Sequence, residues 1–303
     1  MMSIILLALL HTCNVRLAAG LDNNAICRGI GTTRPAIHAG HKGRDDFMHM
    51  LNPHCGVERD PRGIVRLTIC NAGSLNILNS AAIKGVREGI EVLATERSIR
   101  ALVIAGQSEK SMIGGADIKE MATLDQASAE KFISGLRDLC EAARAFPAPV
   151  IARIPGWCLG GGLEFAAACD FRIAAHDSKY AMPEVRVGIP SVIHAALLPR
   201  LIGWGRARWL IMTAATIDAP TALNWGLVDV VAAEGALDAE VEKTIDSILE
   251  CGPEAMRSQK ALLKQWEELP LKESINLSVG VFGEAYLTGE PQRLMQGFIN
   301  RKR

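Results

Sequence analysis

Val150-Ile151-Ala152-Arg153-Ile154-Pro155-Gly156-Trp157-Cys158-Leu159-Gly160-Gly161-Gly162-Leu163-Glu164-Phe165-Ala166-Ala167-Ala168-Cys169 is the stretch on which the fold turns. Residues 150–154 read as a strand, ended by Pro155-Gly156. The triple glycine then opens a short apolar helix over 163–169, and 171–174 returns as a strand. Strands and helices alternating in such short units predict an α/β layered fold.

The same rhythm extends in both directions. Upstream, 64–69 (IVRLTI) alternates as a strand does, and Asn71-Ala72-Gly73-Ser74 reads as a turn. Residues 80–93 carry apolar side chains at helical spacing, and 99–104 (IRALVI) is a buried strand ended by Ala105-Gly106. A helical period over 127–146 stops at Pro147-Ala148-Pro149. Downstream, helices are expected over 199–214, 220–226, 238–249 and 253–266, then a helical tail through Phe298. Asp238 suits a helix N-terminus, where a side-chain oxygen accepts from free N–H groups.

With 303 residues, 49% hydrophobic content and formal net charge +0, the chain can hold one large domain, alone or with an appendage. Charge balance argues against a nucleic-acid partner, which calls for a basic excess or stripe. No apolar run reaches the roughly 18 to 20 residues that span a bilayer. The eight cysteines are scattered, without C-x-x-C pairs or zinc spacing. They read as small buried hydrophobes in a reducing compartment.

Residues 1–54 differ from the rest, holding five of the seven histidines and no sustained period. The apolar run at 4–10 lacks the preceding positive charge of an export signal. The expectation is an N-terminal extension, disordered or lying upstream of the true start, since Met48 and Met50 stand just before the first strand. His38, His41, His49 and His54 are too irregularly spaced for a metal site.

Several chemistries are excluded by their missing motifs. G-x-G-x-x-G fails at Phe165, and no phosphate loop, H-E-x-x-H helix or G-x-S-x-G elbow is present. Two glycine loops remain, Gly114-Gly115-Ala116-Asp117 and Gly160-Gly161-Gly162. Each is either a tight turn packed on a strand or a place where free backbone N–H groups meet developing negative charge. Glu164 interrupts an otherwise apolar helix, where an acid is costly unless paired, neutral or functional. Glu184 follows Met182-Pro183, where a returning loop can bring it near Glu164. Two carboxyls in unequal environments can divide acid and base roles, although each alone also fits a glutamate at a helix N-terminus.

The segments Gly114-Gly115-Ala116-Asp117-Ile118-Lys119-Glu120-Met121, Gly156 to Glu164, Met182-Pro183-Glu184 and Ala222-Leu223-Asn224-Trp225-Gly226-Leu227-Val228 together resemble the crotonase (enoyl-CoA hydratase/isomerase) superfamily, over roughly 56–303. The resemblance implies a crotonase-like spiral of ββα units over 55–252 and a helical C-terminal trimerisation region over 253–303, assembled as homotrimers or hexamers. It implies an acyl-CoA thioester whose oxygen is held by the Ala116 and Gly161 amides, with Asp117, Ile118 and Lys119 beside the substrate. Glu164 and Glu184, twenty residues apart in sequence, match the glutamates of family hydratases. Glu164 is assigned the attacking water and Glu184 the Cα proton. No cofactor or metal is implied beyond the coenzyme A of the substrate. Lys110 and Lys119 are candidates for its phosphates, or ordinary surface lysines.

One departure stands out. After Gly188-Ile189-Pro190 family hydratases are glycine-rich, whereas this chain continues Ser191-Val192-Ile193-His194-Ala195-Ala196. That change keeps a Δ3,Δ2-enoyl-CoA isomerase, or another acyl-CoA enolate enzyme, open beside enoyl-CoA hydration of a trans-2-enoyl-CoA. A non-catalytic RNA-binding or scaffold role is the distant alternative. His194 reads as a packed histidine, and Trp204 and Trp209 as core or subunit interface. The expected compartment is the cytoplasm, with the mitochondrion second.

Overall fold

The computed structural model describes residues 48–301. The expectations for 1–47, with His38 and His41, lie outside the described residues. An antiparallel hairpin comes first, β1 (His49–Asn52) and β2 (Cys55–Arg59), with β3 (Ile64–Ile69) antiparallel to β2. After α1 (Ser80–Ala94) the chain begins to repeat. β4 (Ala101–Gly106) enters a large sheet and β5 (Ser111–Ile113) a small one, followed by α2 (Ile118–Met121) and α3 (Gln126–Ala145). β6 (Val150–Ile154), β7 (Trp157–Leu159) and α4 (Gly161–Ala168) repeat the unit. β8 (Phe171–Ala175) and β9 (Lys179–Ala181) repeat it again, followed by the 3-10 turns Glu184–Val187 and Ile193–Leu197 and by α5 (Leu198–Thr213).

β10 (Ile217–Asp218), α6 (Ala219–Trp225), β11 (Val230–Ala232) and α7 (Leu237–Leu249) complete this part, and α8 (Pro253–Glu268), α9 (Leu271–Ala285) and α10 (Glu290–Arg301) close the chain. Among the described residues the large sheet has the order β1-β2-β3-β4-β6-β8-β11 and the small one β10-β9-β7-β5. Successive parallel strands advance through both sheets together, which is the expected spiral of ββα units.

The local chemistry explains the elements. Asn79 caps α1 by accepting from the Ala82 amide at 2.8 Å, and Ile83, Val86, Ile90 and Leu93 lay one apolar stripe on the core. All eight residues of α4 are buried, so this helix runs through the centre of the molecule. Burying Leu163 and Phe165 contributes about 1.5–3 kcal/mol each.

The structure differs from the sequence reading in several places. Regular structure is present at His49, so residues 49–54 belong to the hairpin although the boundary was expected at 54. β4 runs to Gly106 because its pairing with β3 extends to Ile69, and it starts only after the turn at Glu96–Ile99. The helix expected from 163 starts at Gly161. Asp238 lies in the first turn of α7 and pairs with Arg153 at 2.6 Å, while Ala236 holds the cap position. Trp204 and Trp209 are exposed, so of the two expectations for them, core or subunit interface, the core is not met. No described helix is long and apolar enough to cross a membrane, and no three described His, Cys, Asp or Glu residues gather as a metal site.

Candidate active site

β5 and β7 are parallel neighbours, with Ile113 opposite Cys158, so the two glycine loops leave the same ends of adjacent strands. Gly115 stands at φ +114°, and a Cβ there would lie 3.5 Å from the Leu159 carbonyl oxygen of the second loop. The first loop is pinned on both sides of Ala116. The Leu78 amide donates to the Gly115 carbonyl and the Asp117 amide donates to the Leu78 carbonyl, each at 2.9 Å. The second loop is pinned by the Gly160 amide, which donates to the Ala181 carbonyl at 2.9 Å. Among the described residues the amides of Ala116 and Gly161 donate to no backbone carbonyl. Gly161 is also the first residue of α4, where the helix dipole favours negative charge.

Glu164 follows in the first turn of α4 and is 3% exposed. The Ala195 amide donates to its Oε1 at 3.1 Å. Burial first, and then the charge of Glu184, push its carboxyl up to about 8, against the amides of Ala195 and Val192. Glu184 begins the 3-10 turn after β9 and is half-buried. Burial raises its carboxyl too, opposed by hydrogen bonding that includes Ser191, whose Oγ donates to Oε2 at 2.8 Å. The spiral thus brings the two glutamates close enough that the charge of Glu184 raises the carboxyl of Glu164.

The remaining sequence candidates divide. Asp117 caps α2 by accepting from the Lys119 amide at 2.9 Å, and Ile118 is 57% exposed beside the first glycine loop. Lys119 is exposed on the same helix. Lys110 precedes β5, at the end opposite the glycine loops, and is not brought to them. Sequence reasoning missed Ser191 and Ala195 as partners of the two carboxyls. Only the loss of glycines after Pro190 pointed at this stretch.

A ββα spiral that carries a buried and a half-buried glutamate after two glycine loops on adjacent strands defines an enzyme of the crotonase fold. A family profile described as Enoyl-CoA hydratase/isomerase matches residues 59–303. A crotonyl-CoA hydratase of Syntrophomonas wolfei is 32% identical over 231 residues, covering 76% of this chain and 89% of that protein. The mitochondrial methylglutaconyl-CoA hydratase of Mus musculus is 32% identical over 237 residues, covering 77% and 76%. The crystal structure of an enoyl-CoA hydratase from Mycobacterium smegmatis superposes with a TM-score of 0.79 at 28% identity, covering 82% of this chain and 97% of that one. The chain belongs to the enoyl-CoA hydratase/isomerase family, and it is an enzyme of the hydratase type.

Proposed function

We propose that this protein adds water across the 2,3 double bond of a trans-2-enoyl-CoA. The observation that supports this reading most is the buried Glu164 with the half-buried Glu184 near it, burial and that like charge raising the Glu164 carboxyl to about 8. Such a pair holds one proton near neutral pH, which supplies an acid and a base together.

The Ala116 and Gly161 amides donate to the thioester oxygen, each lowering the barrier by about 3 kcal/mol as the enolate forms. Asp117, Ile118 and Lys119 line the approach of the coenzyme A portion. Glu164 takes a proton from water as the water oxygen bonds to Cβ. The π electrons of the double bond move toward the thioester oxygen, and Glu184 then gives its proton to Cα. The product is a 3-hydroxyacyl-CoA, and proton exchange between the carboxyls resets the pair. In the free site burial places the shared proton on Glu164, so it passes to Glu184 before attack. No step runs through a metal or redox group.

The test is hydration of crotonyl-CoA in 18O-labelled water. Label is expected at C3, and Glu164→Gln or Glu184→Gln is expected to lower turnover by roughly a hundredfold or more. Conversion of a 3-enoyl-CoA with no label, or near-normal activity in both variants, would overturn the reading.

Exposed Leu271, Val279, Phe282 and Leu287 near the chain's C-terminal end support assembly as trimers or pairs of trimers, which light scattering of the purified protein tests. The scattered cysteines, without paired or zinc spacing, support a reducing compartment, with the cytoplasm first and the mitochondrion second.

A further inference from the structure

Glu164 and Glu184 stand on different elements, yet both take a hydrogen bond from one stretch of five residues. Ser191 Oγ donates to Glu184 and the Ala195 amide donates to Glu164, at 2.8 and 3.1 Å. Between them Ile193 stands at φ +41°. A β-branched side chain is an outlier there and persists only where its surroundings impose the conformation.

The next residue, His194, is anchored by its side chain. The residue is 6% exposed, and its Nε2 lies 2.8 Å from Glu141 Oε1 on α3. Glu141 also accepts from Arg144 at 2.6 Å and Lys264 at 3.2 Å, and against burial, which raises it, these two and His194 hold its carboxyl down to about 2. An ionised carboxylate only accepts, so Nε2 carries the proton and donates. Burial lowers the pKa of the ring, and its Nδ1 is buried without a hydrogen-bond partner. An unpartnered buried nitrogen is costly. The Nε2–Glu141 contact is therefore what fixes the ring, and with it the path of the next residue, Ala195.

We infer that residues 191–195 act as one strap positioning both carboxyls, with Ser191 holding Glu184 directly and His194 holding Glu164 through the Ala195 amide. Both are positioning residues. The strap's kinetic consequence rests on the proposed hydration, whereas its effect on the carboxyls does not. The charged and titratable groups in play are few. Glu164 is faced by Glu184 and, from α3, by Cys140; His194 is faced by Glu141, Arg144 and Lys264.

The experiment is a 13C titration of the full chain labelled at glutamate Cδ, with Glu164→Gln and Glu184→Gln assigning the two resonances, run beside crotonyl-CoA kinetics. In Ser191→Ala the Glu184 carboxyl is expected to titrate about one pH unit higher, because a hydrogen bond to its charged form is gone. Ser191→Thr keeps the hydroxyl and restores it. In His194→Ala the Glu164 carboxyl moves up instead, and His194→Gln, whose amide can donate to Glu141, brings it back. Turnover falls roughly ten- to hundredfold in both alanine variants with KM little changed, the scale of a misplaced catalytic group. Should His194→Ala fail to fold, Glu141→Ala cuts the same tether from α3 and must displace the Glu164 titration likewise. Unmoved titrations in folded Ser191→Ala and in the folded tether variant would overturn the strap. Shifted titrations in a protein that hydrates no enoyl-CoA would overturn the hydratase reading and leave the strap standing.

Discussion

A Cβ placed on Gly160 would stand 2.5 Å from Oε1 of Glu184. The glycine therefore supplies the space in which that carboxyl lies, and it does so at φ 53° and ψ −125°, where side chains are disfavoured. Gly160→Ala combines backbone strain of about 1–3 kcal/mol with displacement of Glu184. The variant is expected to fold, to melt several degrees lower, and to lose turnover by roughly a hundredfold with less change in KM. Circular dichroism melting and crotonyl-CoA hydration check this. Wild-type turnover would separate the position of Glu184 from catalysis.

The pH dependence follows from the pair. Hydration as proposed needs one proton on the two carboxyls. Acid fills both sites and stops activation of water, while alkali empties both and removes the proton donor. The last proton leaves near pH 8, where burial and the charge of Glu184 have pushed Glu164. A bell-shaped profile of kcat/KM is expected, with its upper limb near that value. A profile flat to pH 10 would show that no shared proton is used.

Legibility varied with the kind of signal each residue leaves. β3 was readable because its alternation matches its burial, and α1 because its apolar residues repeat at helical spacing. β5, β7 and β9 are three residues each, too short for any period to show, and exist because the spiral offers each a parallel partner. Glu164 announced itself as an acid inside an apolar helix. Glu184 had no such contrast; its place after Met182-Pro183 suggested only that a returning loop could bring it near Glu164, and the family resemblance gave it its role. Ala195 was invisible because its contribution is a main-chain N–H, which every residue except proline carries.

Stability should carry the mark of Glu164 as well. Its folded carboxyl titrates near 8, above the ordinary 4.5. Between those values the folded protein keeps a proton that the unfolded chain has released, so stability falls as pH rises through that window. Glutamine cannot ionise and escapes this loss. Glu164→Gln is expected to match wild type near pH 4.5 and to exceed it at pH 8 by a few kcal/mol, about what a multi-unit shift converts to after local relaxation. Urea unfolding at the two pH values measures it. Equal stability at pH 8 would mean that the folded carboxyl ionises as freely as the unfolded one.

Lys260 offers a test of how α8 is fastened beside this core. Its buried ammonium donates to Asp170 Oδ2 at 2.6 Å and to the carbonyls of Ala143 and Ala148 at 3.2 and 3.0 Å. One side chain thus ties α8 to the end of α3 and the approach to β6. Lys260→Met keeps most of the apolar stem but leaves two carbonyls and a carboxylate short of a donor, a loss of roughly 2–4 kcal/mol. Asp170→Asn in the same chain should cost less than the sum of the single changes, because the partner it served is already gone. A urea midpoint unchanged by Lys260→Met would show that α8 is held by its apolar face alone, and the buried charge would then need a different explanation.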